Sequence, residues 1–263
     1  MRLVDAFNRR DVDSFVALMT ADGRLDDRRK GLRALLDGPA RRKAGHALFE
    51  VPPSSYRMEV EPIAIRGSRL SLTRERYRDT DDANRPVVVE LLTVMKVSDG
   101  GLMHNLVSFD PDDINTAFEE LDAWYLAGEA AVHAHTWSVI AAAYAGLNRR
   151  ELPPTTPDWV NVDRRRVATI APGDLIASLR GTWDLMPDFA IHIQTVHRLT
   201  DLGAAFTYAA LGTSQDGFDA EWREIAVLSV EGDLINHCEL FDEADIDAAL
   251  ARFDELDQPA LPK

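Results

Sequence analysis

One phrase of this sequence is written twice. Leu234-Ile235-Asn236-His237-Cys238-Glu239-Leu240-Phe241-Asp242, continuing through Asp245-Ile246 to Leu256, echoes Leu102-Met103-His104-Asn105-Leu106-Val107-Ser108-Phe109-Asp110, continuing through Asp113-Ile114 to Leu121, at a shift of 132 residues. At that shift Gly100 meets Gly232, Leu102 Leu234, Phe109 Phe241, Asp110 Asp242, Asp113 Asp245, Ile114 Ile246 and Ala117 Ala249. The period is too long for a solenoid unit and implies a duplicated domain. The 263 residues therefore divide into two domains of ordinary size, 1–126 and 127–263.

The balance of charge narrows the partners. A net charge of −15 makes a nucleic-acid backbone a poor partner. Cys238 is the single cysteine, so no internal disulfide can form and a reducing cytoplasm is the expected compartment. No apolar run approaches the ~20 residues that span a bilayer, and Met1 to Asp5 carries no secretory h-region. The first copy lacks the start of its opening helix. The chain is therefore expected to be a piece of a longer multidomain one, a shortened first copy being the alternative.

Both copies read as helices, then long strands, then a closing helix. In the first, helices are expected from Arg2 to Arg10 and Asp11 to Met19, a strand from Gly23 to Asp27, and a helix from Leu32 to Leu36 that runs on past Arg42. Strands follow at Tyr56 to Ile65, Ser68 to Arg78, Pro86 to Val97 and Leu102 to Phe109. In the second, a helix from Ala130 to Arg150 precedes a strand at Trp159 to Asp163 and a helix at Asp174 to Leu185. Its strands are Phe189 to Leu199, Ala204 to Ser214, Trp222 to Val230 and Leu234 to Phe241. Gly and Asp in the short gaps mark antiparallel hairpins, and the order gives an α+β class. Asp110 and Asp242 sit where an N-cap belongs. Arg9-Arg10 and Arg149-Arg150 sit where cations cap a last turn. Ile225 to Val230 and Val87 to Met95 are almost unbroken apolar runs, where a half-wetted strand would alternate. We expect both faces to be covered, one by the domain's own helices and the other by the sister sheet. The result is an internal pseudo-dimer packed sheet to sheet.

Three stretches carry a resemblance: Asn148-Arg149-Arg150-Glu151, Trp159-Val160-Asn161-Val162-Asp163-Arg164-Arg165, and Phe241-Asp242 with its helix. With the helix–meander–helix order they resemble the NTF2-like superfamily, and within it the SnoaL-like group, across the second copy and more weakly the first. Ala131 to Leu256 also resembles the C-terminal region of actinobacterial regulators that join a cyclase-like or ATPase domain to such a tail. The resemblance implies two cone-shaped domains, each with one mouth, in a superfamily of isomerases, hydrolases, polyketide cyclases and binding-only proteins. The fold does not choose among these.

A cone of this kind encloses an apolar pocket with a few polar groups. Trp183, Phe189, Ile191, Ile193, Thr195, Phe206, Tyr208 and Trp222 are candidates to line it, although plain core is the simpler reading for most. Tyr208 is the best hydrogen-bond donor among them. Parity along the last strand separates Leu234, Asn236, Cys238 and Leu240, which we place inward, from Ile235, His237, Glu239 and Phe241. Asn236 is then the pocket's polar group on that strand. His237 and Glu239 share the other face, where they can pair as general base and orienter or as a structural hydrogen bond. The first copy carries Asn105 and Val107 there, so at most one copy has this pair. His192 and His197 have opposite parity, and no metal-ligand spacing is present. Arg164-Arg165-Arg166 and Arg74, Arg76 and Arg78 suit a phosphate-bearing ligand or an acidic partner or, more simply, a solvated face or internal salt bridges. No cofactor motif is found. The expected function is a non-catalytic module that binds a small apolar ligand or serves assembly, homo-oligomers included, within a larger regulatory protein. The alternative is a SnoaL-like enzyme acting on an apolar cyclic or polyketide-like substrate.

Overall fold

The computed structural model describes residues 2–50, 55–81, 89–167 and 170–257. The chain forms two compact units, Met1–Tyr125 and Leu126–Lys263, each of mixed helix and sheet. Among the described residues no helix is long and apolar enough to cross a membrane.

The first unit runs α1 (Arg2–Asn8), α2 (Val12–Ala17), β1 (Met19–Asp27), β2 (Ala34–Asp37), α3 (Gly38–Glu50), β3 (Tyr56–Arg66), β4 (Leu70–Asp79), β5 (Val89–Val97), β6 (Met103–Phe109) and α4 (Ile114–Leu126). Its strands lie in the order β2-β1-β6-β5-β4-β3. The second unit runs α5 (Ala134–Asn148), β7 (Thr155–Asp163), α6 (Leu175–Leu185), β8 (Ala190–Leu199), β9 (Gly203–Thr213), β10 (Asp219–Glu231), β11 (Leu234–Asp242) and α7 (Ile246–Leu256). Its strands lie in the order β7-β11-β10-β9-β8. Within each unit one strand pair is parallel, β1 with β6 and β7 with β11; the others are antiparallel. Asn105 lies opposite Arg24, and His237 opposite Val160, after an irregularity in the ladder of each parallel pair.

Local chemistry recurs with the topology. Asn8 binds both backbone groups of Met58, at 2.8 and 3.1 Å. Asn148 does the same to Ile191, at 2.7 and 2.9 Å. Arg9 and Arg149 bond carbonyls of the preceding helical turn, Asp5 O and Ala145 O. Arg10 and Arg150 both adopt a φ of 60°, uncommon for a residue with a side chain. That backbone turn sends their guanidinium groups away from the helix, to Phe49 O and Pro187 O.

Several elements differ from expectation. Leu32 to Leu36 is not a helix. Ala34–Asp37 is a strand, paired antiparallel with β1 so that Ala34 faces Asp27, and the helix starts only at Gly38. A short leucine-rich run has no decisive period, and Pro39 suits a first helical turn. Asp110 and Asp242 are not side-chain caps: Asp110 Oδ2 accepts the backbone N–H of Lys30 at 3.0 Å, and Asp242 Oδ2 that of Arg166 at 2.9 Å. The Phe-Asp words tie down the loops that leave β1 and β7. The far face of β10 is covered from within its own unit, where Ile225 and Val227 pack with Ala205, Phe241, Ala249 and Phe253, the last two from α7. Of the strand expected from Pro86, residues Pro86, Val87 and Val88 lie outside the described residues.

Candidate functional site on the inner face of the second unit

Strand pairing sorts the side chains of the second unit onto two faces. Residues directly opposite share a face, and neighbours along a strand alternate. Ile193 lies opposite Tyr208, Tyr208 opposite Glu224, Ala210 opposite Ile191 and Trp222, Leu228 opposite Cys238, and Leu240 opposite Asp163. These residues form the inner face. Helix α5 covers it through Tyr144, whose ring centroid lies 5.1 Å from that of Phe206 and 5.8 Å from that of Tyr208. Helix α6 is tied to the same face at its start, because Asn161 Oδ1 accepts the N–H of Gly173 at 2.7 Å. Trp183 is its buried side chain. Phe189 and Trp222 pack with ring centroids 6.1 Å apart.

A polar chain crosses this apolar surface. Tyr208 donates its phenol proton to Glu224 Oε2, and Arg165 donates to Glu224 Oε1. Arg165 also grips Asp163 with Nε at 2.8 Å and Nη2 at 2.6 Å. Burial acts to raise the Asp163 carboxyl, but the bonds from the Arg165 side chain and from the backbone N–H groups of Arg165 and Ile170 outweigh it and hold the group at about 2. Arg165 is raised, first by its bonds to Asp163 and then by Glu224. Burial, with the Glu224 charge beside it, keeps the Tyr208 phenol protonated well beyond its ordinary range. Burial pushes the Cys238 thiol up to about 12, helped by Glu239 and Glu224. Glu224 is thus an acceptor with both oxygens engaged, and Tyr208 is a donor already in use.

His237 and Glu239 meet on the opposite face. His237 Nε2 lies 2.7 Å from Glu239 Oε1, which also accepts from Arg252 Nε at 2.9 Å, while Arg164 binds Oε2. The Glu239 side chain is 0% exposed. Burial disfavours its charge, yet the bonds from Arg164, His237 and Arg252 together leave its pKa lowered. The structure thus brings the His–Glu pair together, but not with Tyr208. Asn236 sits at the register shift between β10 and β11, where its Oδ1 accepts from Ser229 Oγ at 2.7 Å. His197 Nε2 pairs with Thr207 Oγ1 at 2.8 Å, and His192 Nδ1 lies 3.4 Å from the Asn148 amide. Among the described residues no group of three or more His, Cys, Asp or Glu is placed to hold a metal ion.

The basic clusters are internal. Arg166 faces Asp242 and Asp245. Arg74 and Arg76 bind Glu90, Arg76 also binds Glu61, and Arg78 binds Glu59. Glu224 is the site residue that sequence reasoning passed over, because it ends the polar part of Trp222-Arg223-Glu224 just before an apolar run. The one signal that can find it is parity, which puts it on the side of Trp222 and Ala226.

The first unit carries different chemistry at the same strand positions. Asp27 and Arg29 repeat the Asp163–Arg165 pair at 2.7 and 3.0 Å. The buried carboxyl there is Glu75, opposite Leu91, with the Tyr77 hydroxyl 3.3 Å away. Burial raises the Glu75 pKa, against weaker opposing bonds from Thr93 and Tyr77.

No protein-family model matches the chain, and no curated protein does. Solved structures give partial likenesses. AclR, a candidate hydroxylase from Streptomyces galilaeus, is 17% identical with a TM-score of 0.37, over 50% of this chain and 87% of its own. A candidate SnoaL-like polyketide cyclase from Jannaschia is 8% identical with a TM-score of 0.36, over 50% and 96%. The epoxide hydrolase/cyclase-like enzyme SalBIII is 17% identical with a TM-score of 0.33, over 41% and 83%.

Proposed function

We propose that the chain is a tandem pair of NTF2-like, SnoaL-like domains whose second unit binds a small apolar molecule without turning it over, as a module of a larger regulatory protein. The observation that carries this reading is the saturation of the second unit's buried carboxylates. Glu224 is held by Tyr208 and Arg165, Asp163 by Arg165 and two backbone N–H groups, and Glu239 by Arg164, Arg252 and His237. A general base must reach the proton it removes, and each of these groups is already committed to the protein. The repeated Asn clamp, the repeated φ of 60° and the repeated parallel strand pair support descent from one duplicated unit.

The inner face offers Trp183, Phe189, Ile191, Tyr208 and Trp222 as apolar contacts for the ligand. Among the described residues the Trp183 indole N–H is buried without a protein partner, so a ligand oxygen there removes the cost of an unmade bond. Native mass spectrometry of the freshly purified chain tests the reading, with a population heavier than the 29.3 kDa chain by a fixed small mass expected. His237→Ala keeps that population, since the imidazole lies on the other face. Only the bare chain mass, with no small molecule released on denaturation, overturns it.

The hydrogen bond from Tyr208 to Glu224 favours a second reading, a SnoaL-like enzyme in which this pair moves a proton on a cyclic substrate. Under that reading Tyr208→Phe removes turnover and leaves affinity little changed.

A further inference from the structure

The outer side of α5 borders a cleft of about 360 Å³, separate from the inner-face site and within the size range of small-molecule sites. Val139, Ala142 and Ala143 form its apolar floor on the helix, and Pro153 and Pro154 form the facing wall. Glu151 and Asp233 stand on its lining as carboxylates, with His135 beside Asp233. The walls are set by short hydrogen-bond contacts to backbone carbonyls. Glu151 N–H bonds Gly146 O at 2.9 Å, Ile235 N–H bonds Pro154 O at 3.0 Å, and His135 Nε2 lies 2.8 Å from Gly232 O. A β-carbon on Gly146 would lie 3.5 Å from Glu151 O, so the Glu151 segment runs close along the helix. Among the described residues, the helix at the corresponding place in the first unit, α1, spans seven residues.

We propose that this cleft is a second binding site, for a small organic cation: an ammonium group on a flat apolar body. The apolar floor takes the body by burial. The two carboxylates take the charge: Arg149 occupies Glu151 Oε2, while Asp233 is 89% exposed and meets the cation as it enters. An anion of the same shape is repelled by Asp233. Because the carboxylates are exposed, each contributes little, and affinity for a ligand of about a dozen heavy atoms is on the order of 1 mM.

The test is a titration of the full chain with three probes of one shape and different charge: tryptamine, tryptophol and indole-3-acetate. Binding is followed by ligand-observed NMR at low and high salt. Tryptamine is expected to bind saturably, tryptophol about tenfold more weakly, and indole-3-acetate not at all. The double change Glu151→Gln with Asp233→Asn is expected to bring tryptamine down to the tryptophol level, and salt to have the same tendency. Ala142→Phe, at an exposed helix position, fills the cleft without disturbing the core and is expected to abolish binding of both probes, with an unchanged melting temperature as the control for folding. Three probes that bind alike, no binding by tryptamine at 10-fold the expected concentration (about 10 mM), or full binding by Ala142→Phe each overturns the proposal. None of these outcomes bears on a ligand at the inner face, which native mass spectrometry reads independently.

Discussion

His237 Nε2 and Glu239 Oε1 lie 2.7 Å apart on the face of β11 that α7 covers, and the same carboxylate anchors Arg164 and Arg252. The pair joins the closing helix to the sheet through a buried negative charge. Glu239→Gln leaves three donors facing an amide with one acceptor oxygen. The two guanidinium groups are partly exposed and recover some hydration, so the expected loss is about 2–3 kcal/mol, below that of a fully buried broken pair. Urea denaturation measures it. A loss under about 0.5 kcal/mol means that the cluster behaves as a surface ion pair.

The Tyr208–Glu224–Arg165 chain predicts coupling. Tyr208→Phe strips one donor from Glu224, and Glu224→Gln leaves both donors competing for one oxygen. Each is expected to cost about 1–3 kcal/mol. Tyr208 and Glu224 are in direct contact, so the double variant is expected to cost less than the sum by about 1–2 kcal/mol. Strict additivity in a double-mutant cycle shows that the hydrogen bond contributes nothing.

The α+β order and most strands were legible because turn residues and period-2 runs mark them without reference to partners. The Arg164-Arg165-Arg166 run shows where legibility ends. Three adjacent arginines read as one basic patch, yet they go to Glu239, to Asp163 with Glu224, and to Asp242 with Asp245. The three lie just past the end of β7, where the turning chain sends neighbours to different sides, and apart from Asp163 their partners lie 59 to 79 positions away. Asn236 shows a second limit, since parity places a side chain only while the ladder is regular, and the β10–β11 register shifts there. Gly23 shows a third. It lies one position before the register pair Arg24–Asn105, where the second unit has Trp159 before Val160–His237. Only the structure reveals that the space beside Gly23 is filled by the guanidinium of Arg41, a side chain 2% exposed.

That filling makes Gly23 a sensitive position. A β-carbon there would lie 1.9 Å from Arg41 Nη1 and 2.2 Å from His104 O. Arg41 is itself held by the carbonyls of Met103 and His104, so neither neighbour yields easily. Gly23→Ala is expected to destabilise the first unit by about 3 kcal/mol. Differential scanning calorimetry reads this as an earlier transition, and an unchanged thermogram shows that the β1 backbone has room to move.

Cys238 is predicted to be inert while the chain is folded. Its thiol is buried and held near 12 by burial and the adjacent carboxylates, and the thiolate is the reactive species. Ellman's reagent at pH 8 is expected to label it only after denaturant is added. Labelling of the native chain within minutes would show that the inner face opens on that timescale.

Asp163 sets the acid limb of stability. Its folded pKa of about 2 lies below the ordinary aspartate value of 3.8, so the group binds its proton more readily in the unfolded chain. The stabilisation is therefore complete above about pH 5, falls as the unfolded carboxyl protonates, and is lost by about pH 1. A difference of this size corresponds to about 2 kcal/mol. Asp163→Asn removes the pH-dependent part: the variant is less stable than the parent at pH 7, and the gap closes by about 2 kcal/mol as pH falls towards 2. Urea melts of both proteins between pH 2 and 7 measure the gap directly. A gap that stays constant with pH assigns the acid sensitivity to other carboxylates.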